Sequence, residues 1–505
     1  MRYTPTIFDS PPPTLVGENI RLSELLSALT FALDLTEGAL PGHNLRSCVL
    51  GMRLAEAIGL PVSQRASLYH ALQLKDIGCS SNAAHIAALV GGDDRVLKSA
   101  VKLQDWTHPW LPRPHVLRLL WRETLPGAPL SQRLKRLTAI ARTQHTNNRT
   151  MIELRCDRGA DIVRHLDMGA AVAEGVRHLD EHWNGSGYPD GLRREQIPLI
   201  SRICSVAQSL DAFAAAYGPD RALRIVRSRS KTWFDPELVW AANSLASERL
   251  LWKNCLPTDD VEDTRSAVLD LDPGLRSDLS TERLDRICET FADVIDTKSP
   301  FTFRHSVAVT EVAQAIASEL GLSAERRRII RRAALLHDLG KLGVSNAILD
   351  KRGKLSDGEW AAVRQHPALS GSILRRVPAL RGVAMLAEEH HERLDGSGYP
   401  RRLTARDICL ESRVVALADN YAAMVESRPY RDPMDATVAI EILAADAVPL
   451  LDASCFAALE AASSQWPAGL PPTTNTSAAH ENDSACAPLW TLKPDPLHPK
   501  LPRAI

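Results

Sequence analysis

The sequence predicts an all-α protein built as two tandem helical domains, and three observations carry that prediction. Apolar residues recur three and four apart over long stretches. Matching intervals between chemically distinctive residues occur twice along the chain. One turn, Gly-Ser-Gly-Tyr-Pro, stands at both 185–189 and 396–400. With 505 residues and 45% apolar content, the chain is long enough for two or three ordinary cores.

In order, residues 1–18 carry Pro5 and Pro11-Pro12-Pro13 without periodicity and read as a flexible lead-in. Leu22, Leu25, Leu26, Leu29 and Leu33 mark the buried face of a helix, and the same phase returns at Leu284, Ile287, Phe291 and Ile295. Each stretch runs into a histidine, His43 or His305. From His43 to Lys75 is 32 residues, as from His305 to His337. Lys75 to Arg155 is then 80, against 29 from His337 to His366, so the first copy holds an insertion near 95–145 that contains Trp106, Trp110 and Trp121. Register returns afterwards: Arg155 to Leu179 and His366 to His390 are both 24, and Leu179 to Gln208 and His390 to Asp419 are both 29. Repetition on this scale assigns one domain to 19–245 and a second to 281–465. A polar linker over 246–280 is punctuated by Asp272-Pro273-Gly274, and the Thr/Ser/Asn-rich 466–505 reads as a disordered tail.

Composition excludes several classes. Sixty basic residues against 61 acidic leave a net charge of −1, so no global field recruits a DNA or RNA duplex or an anionic membrane. Nine scattered cysteines without a CxxC pair fit reduced thiols, and no apolar run reaches the roughly 20 residues that span a bilayer. The expectation is a cytoplasmic protein.

The chemistry gathers in the second copy. An apolar helix through Ile329, Ile330, Ala333, Ala334 and Leu336 delivers His337-Asp338, with Gly340 as its expected terminator. Ser356 and Glu359 form a capping-box pattern for a helix that reaches His366 just before Pro367. The apolar run 408–418 presents Asp419, a carboxylate expensive to bury unless paired or bound to metal. Arg326, Arg327, Arg328, Arg331 and Arg332 read as a solvated helix face. Taken singly, a residue such as His366 reads as a satisfied core histidine and the glycine-rich turn as only a turn. Taken together, His305, His337, Asp338, His366, His390, His391 and Asp419 supply five imidazoles and two carboxylates from five segments. Such ligation without thiolates suits iron, manganese or zinc, and exceeds what one tetrahedral ion can use. Two metals are the natural count, with Asp338 able to bridge ions about 3.5–4 Å apart, and Lys341 placed to neutralise a phosphate oxygen.

His337-Asp338-Leu339-Gly340-Lys341 and the stretch from His390-His391-Glu392 to Gly398-Tyr399-Pro400 resemble the HD-GYP family of the HD phosphohydrolase superfamily. The resemblance covers about 285–465. It implies an all-helical fold, a centre of two or three metals, often iron or manganese, and hydrolysis of cyclic di-GMP to linear pGpG or GMP by a metal-bridging hydroxide. It also implies that the seven residues above are metal ligands, that Asp338 and Lys341 are catalytic, and that Lys341, Arg428 and Arg431 contact substrate. Two departures matter. Phe301 stands where trinuclear members carry a glutamate, which favours two ions, and Asp419-Asn420-Tyr421-Ala422 lacks the family's second aspartate, taken as a substrate-side carboxylate.

The first copy is similar to the same family but degenerate. His43 and Asp76 remain, whereas Lys75, Arg155, Leu179, Asp180 and Gln208 hold ligand places and Cys79 replaces the lysine. Lys75 and Arg155 put positive charge where cations would sit, so this copy is expected to be non-catalytic, serving as a packing partner, as a ligand sensor, or as a surface for a protein partner or dimer. The competing readings for the whole chain are a phosphodiesterase for another cyclic dinucleotide or phosphoester, and a slow signalling scaffold that binds metal and nucleotide.

Overall fold

The computed structural model describes residues 20–103, 114–273, 278–428, 431–446 and 450–464, with Trp466 and Leu470. The expected lead-in, most of the expected tail, and Trp106 and Trp110 of the insertion lie outside the described residues. Helices make up the described chain, and the only strand-like pairings among those residues are isolated bridges.

Both leucine-rich stripes form helices, Leu22–Glu37 and Thr281–Asp296, each 16 residues long. Each leads to a 15-residue helix opened by its histidine, His43–Ala57 or His305–Glu319, and then to a 13-residue helix, Val62–Leu74 or Ala324–Leu336. A short 3-10 turn follows in both cases, Ile77–Ser80 and Leu339–Gly343. The histidine helices start on a left-handed residue, Gly42 (φ 84°) or Arg304 (φ 62°), which leaves no side chain to cap them. A buried aspartate supplies the cap from the preceding helix. Asp34 accepts from the backbone N–H of Gly42 at 2.7 Å and of Asn44 at 3.0 Å; Asp296 accepts from the N–H of Ser306 at 3.0 Å. Orphan N–H groups of a buried helix start are thereby satisfied, and each histidine is fixed at the first turn of its helix.

Gly340 is not the helix terminator the sequence suggested. The helix ends at Leu336, and Gly340 lies inside the 3-10 turn, where an added Cβ would collide with the carbonyl oxygen of His366. Gly78 meets the carbonyl of Arg155 in the same way. Glycine here lets two backbones touch, and that contact brings His337 and His366 together.

Beyond the turn the halves differ. The second half has the Ser356-capped helix Asp357–Val363 and then a separate helix, His366–Leu374, which His366 opens rather than ends because Pro367 fits only a first helical turn. The first half instead has Asp94–Lys102, Pro114–Glu123 and a 36-residue helix, Leu130–His165, that carries Arg155. This insertion braces the other half. Asp94 accepts from the N–H of Asn346 at 2.9 Å and from the Ser345 hydroxyl at 3.2 Å, and Arg95 donates to the carbonyl of Gly343.

The expected polar linker contains a packed helix, Val261–Asp270. Asp260 caps it, Val268 is fully buried, and Tyr69 donates to the Val268 carbonyl at 3.1 Å. The arginine run is not a uniformly solvated face either, since Arg332 is buried against Asp285 at 2.6 Å and Arg326 reaches the buried Glu411 at 2.5 Å. Leu22–Glu37 packs against the Leu339–Gly343 turn and against His366–Leu374, so one apolar core runs through both halves. The described cysteines are buried and free, and no described helix is long and apolar enough to cross a membrane.

Candidate metal centre

All seven expected ligands converge. His305 and His366 open helices, His337 and His390 follow the last turns of Ala324–Leu336 and Arg381–Glu389, and Asp419 projects from the middle of Leu410–Val425. Three of the imidazoles are oriented alike. Nδ1 of His337 donates to the carbonyl of Ala334 at 2.7 Å, Nδ1 of His366 to Val363 at 2.6 Å, and Nδ1 of His390 to Ala387 at 2.8 Å. Each uses a carbonyl that a helix end leaves unpaired, and the Nε2 lone pair is thereby turned inward.

Asp338 divides the set into two lobes. Its Oδ2 lies 3.3 Å from His337 Nε2 and 3.9 Å from His305 Nε2, while Oδ1 lies 3.2 Å from His366 Nε2 and 3.9 Å from His390 Nε2. Asp419 completes the first lobe, with Oδ1 3.1 Å from His305 Nε2, and turns Oδ2 toward His391 Nδ1 at 3.7 Å. Two buried atoms, His337 Nε2 and Asp338 Oδ1, have no hydrogen-bond partner, and the Nε2 atoms of His366 and His390 face each other at 3.2 Å. Each orphaned buried atom costs about 1–3 kcal/mol if nothing satisfies it. Convergent lone pairs of mixed nitrogen and oxygen character, shared across one carboxylate, fit two divalent cations.

The electrostatics divide the set. Burial and Arg428 push His305 down, but Asp419 and Glu426 outweigh them and raise it to about 9, and Asp338 and Asp419 raise His337 against burial, so a cation in that lobe competes with protons. Burial pushes Asp338 and Asp419 up, but the surrounding imidazoles, with Lys341 beside Asp338, outweigh it and hold both carboxyls well below their usual range. Burial also holds His390 and His391 down, in their neutral, ligating form. Lys341 Nζ donates to Asp338 Oδ2 at 2.6 Å. At the rim, the Tyr399 ring lies 4.9 Å from that of His391, and the Arg364 guanidinium sits 5.5 Å from the Tyr399 ring.

The two arginines expected at substrate are placed differently. Arg428 sits beside His305 and donates to Glu426 at 3.3 Å. Arg431 spends its guanidinium on the carbonyls of Met424 at 2.8 Å and Ala423 at 2.7 Å, and its backbone pairs with that of Arg428. Arg431 therefore braces the segment carrying Arg428.

Three contributors are not evident from the ligand spacing. Glu392 accepts from the N–H groups of Arg401 and Leu403 at 2.6 and 2.9 Å and holds the Gly-Ser-Gly-Tyr-Pro turn, as Glu181 does through Asp190 and Gly191. Its presence in both copies was the available signal. Ser370 accepts from Gly340 N–H and donates to the His337 carbonyl at 2.7 Å, tying the turn to the next helix. Glu426 accepts from His305 Nδ1 at 2.8 Å. Ala422, read from the sequence as the loss of a substrate-side carboxylate, is fully buried. The residue in register with it, Asp211, bonds His43 Nδ1 at 2.6 Å, so this position faces a histidine rather than substrate.

In the first half an ammonium occupies the middle of the corresponding set. Lys75 Nζ lies 3.1 Å from His43 Nε2 and donates to Asp76 Oδ2, Lys102 reaches Asp76 at 3.5 Å and Glu37 at 2.8 Å, and Arg155 pairs with Asp180. Burial pushes Asp76 up, but Lys102 and Lys75 outweigh it and hold it well below the usual carboxylate range. His43 is neutral, since it accepts from Lys75 at Nε2 and donates to Asp211 at Nδ1. Burial, then the Lys75 ammonium, take its pKa from 6.5 down to about 4. Between those values the unfolded chain binds the extra proton, so stability present above the higher one is lost as pH falls toward the lower. The thermal transition is expected to drop across that window and His43→Gln to flatten the drop; an equally steep decline in the variant would remove His43 from the account.

With this geometry in view, comparison with known proteins is decisive. The sequence matches the HD domain over residues 96–238 and 289–455, the second stretch containing all seven converging residues. The chain belongs to the HD-domain family. This bears out the HD-GYP resemblance and the all-α fold. The first matched stretch begins beyond His43 and Asp76 and contains the altered places Arg155, Leu179, Asp180 and Gln208. Among relatives, a 3'3'-cGAMP-specific phosphodiesterase of Vibrio cholerae serotype O1 is 38% identical, spanning 92% of this chain and 98% of that protein. A cyclic di-GMP phosphodiesterase response regulator of Xanthomonas campestris pv. campestris is 36% identical over 39% of this chain and 53% of its own length. A crystal structure of a cyclic GMP-AMP-specific phosphodiesterase of V. cholerae superposes with a TM-score of 0.62 at 34% identity, covering 90% of this chain and all of that one.

Proposed function

We propose that this HD-domain protein is a metal-dependent cyclic-dinucleotide phosphodiesterase, acting in its C-terminal half, with 3'3'-cGAMP as substrate. The observation that carries the reading is the split of five histidines and Asp419 into two lobes across the two oxygens of Asp338. His305, His337, Asp338 and Asp419 would hold one cation and His366, His390, His391 and Asp338 the other, with iron or manganese suited to the donors. Two such ions supply Lewis acidity at phosphorus and water activated at neutral pH.

The chain's own groups do the rest. Asp338, held as an anion, joins the two lobes. Lys341, on the Asp338 oxygen shared with His305 and His337, places a point charge for a non-bridging phosphate oxygen as negative charge develops there. Arg428 adds a guanidinium beside His305. Tyr399 and Arg364 offer a stacked pair at the rim against which a base can lie. The first half, with Lys75 and Arg155 at ligand places, is assigned no catalysis.

The cGAMP assignment is supported by a relative that is similar across both halves. Cyclic di-GMP is the second reading, favoured by the partial-length Xanthomonas relative. Anaerobically purified, metal-quantified protein incubated separately with 3'3'-cGAMP, cyclic di-GMP and cyclic di-AMP, with products resolved by chromatography, tests both. Fastest conversion of cGAMP to a linear dinucleotide is expected; faster loss of cyclic di-GMP moves the substrate to the second reading. A metal-loaded protein that turns over none of the three overturns the enzyme reading.

A further inference from the structure

The two halves orient their first histidine with the same chemistry drawn from different chain positions. In the first half, Asp211 Oδ2 accepts from His43 Nδ1 at 2.6 Å, and Arg46 donates to Asp211 Oδ1 at 2.5 Å. This guanidinium–carboxylate–imidazole chain is buried throughout. The register places Ala308 opposite Arg46 and Ala422 opposite Asp211, so the second half has lost both polar members. Glu426 Oε2 nevertheless lies 2.8 Å from His305 Nδ1, and Arg428 Nη2 lies 3.3 Å from the same oxygen.

Residues 422 and 426 are one helical turn apart. Glu426 is the residue at which Leu410–Val425 ends, and a glutamate there is long enough to reach back along the helix to the imidazole that an aspartate at 422 would meet directly. Ala422 leaves the room. Arg428 Nη2 also lies 3.4 Å from His305 Nδ1; both are donors, and Glu426 is the acceptor they share.

We infer that Glu426 is the positioning residue of the metal centre, standing in for the carboxylate missing at Ala422 and fixing His305 with its Nε2 lone pair toward Asp338 and Asp419. The inference rests on the metal reading of the seven-residue set. The carboxylate absent at 422 is matched by one that stands a helical turn later, with an arginine beside it.

The test is manganese(II) titration of the metal-stripped full-length protein, with bound metal counted by elemental analysis and folding followed by circular dichroism. Glu426→Ala should weaken manganese binding by roughly 10–100-fold, the range for losing a partner behind a metal-ligating histidine. Glu426→Gln, which keeps an acceptor oxygen, should lose less. Adding Ala422→Asp to Glu426→Ala should restore binding to within a few-fold of wild type, because it rebuilds the arrangement seen at Asp211. Unchanged affinity in Glu426→Ala, or a folded double variant with no recovery, would overturn the assignment. Wild-type protein that binds no manganese would instead overturn the metal reading and this inference with it.

Discussion

Asp338→Ala is expected to abolish metal retention and cyclic-dinucleotide turnover together while leaving the helical fold in place. Asp338 lies between the lobes, its two oxygens within 3.9 Å of the Nε2 atoms of His305, His337, His366 and His390, whereas Asp419 reaches the second lobe at His391 Nδ1, 3.7 Å away. Removing Asp338 would leave these imidazoles converging without the anion that offsets a pair of cations, and would free Lys341 from its 2.6 Å contact. The loss should exceed the roughly 10–100-fold expected of a partner one step removed from the metal. Asp338→Asn, which keeps one carbonyl oxygen, should fall between the two. Elemental analysis and turnover of the purified variants, with circular dichroism as the folding control, decide the matter. A folded Asp338→Ala protein that retains two ions, or that turns over within about tenfold of wild type, would falsify the bridging role.

Lys75→Met should have the opposite signature, a large loss of stability with no change in bound metal. The Lys75 ammonium is fully buried and serves both His43 Nε2 and Asp76. Methionine retains much of the apolar stem but leaves His43 Nε2 without the Lys75 donor and Asp76 with Lys102 at 3.5 Å and the weak Cys79 thiol donor at 3.9 Å. Removing one partner of a buried ion pair costs about 3–5 kcal/mol, because the other charge stays buried and uncompensated. The urea midpoint of the first unfolding transition should therefore fall, while the metal count, set by the second half, stays at the wild-type value. An unchanged midpoint would show that Lys102 suffices for Asp76. Metal gained by the variant would show that Lys75 had been the sole barrier to a cation there, against the expectation that Arg155 and Lys102 also exclude it.

The pair of experiments separates two uses of one scaffold. In the second half the convergent lone pairs fit external cations; in the first a lysine supplies the positive charge internally. What remains common is the framework that brings the groups together: Asp34 and Asp296 over the histidine helices, Gly78 and Gly340 at the backbone contact, and Glu181 and Glu392 under the turn.

Much of this was legible in the residues. Helical stripes predicted the paired helices Leu22–Glu37 and Thr281–Asp296 because apolar spacing is a local property, and the Ser356–Glu359 capping box appears as expected. The candidate ligand set was legible because metals favour particular side chains and these are spaced as in the HD-GYP motif. Less legible were the features that depend on distant partners. Gly340 looked like a terminator until His366 was seen against it. Residues 246–280 looked like a linker because their composition is polar, yet Val268 gives one helix a buried anchor. Arg431 resembled a substrate ligand by position, but the structure commits its guanidinium to backbone carbonyls.

The sequence by itself determined the class of fold and, with the family resemblance, named seven candidate ligands and the half that carries them, since residue type and motif spacing are enough to nominate donors. Only the tertiary structure decided how those donors are aimed. Nδ1 of His337, His366 and His390 donates to carbonyls three residues back, whereas that of His305 donates to Glu426, far along the chain. It also decided that Lys75 fills a site rather than merely failing to ligate one, and that the insertion's Asp94 and Arg95 brace the segment after Lys341. The physical reason is common to all three. A donor is a property of one residue, whereas its orientation and its compensating charge are properties of whatever the fold packs against it.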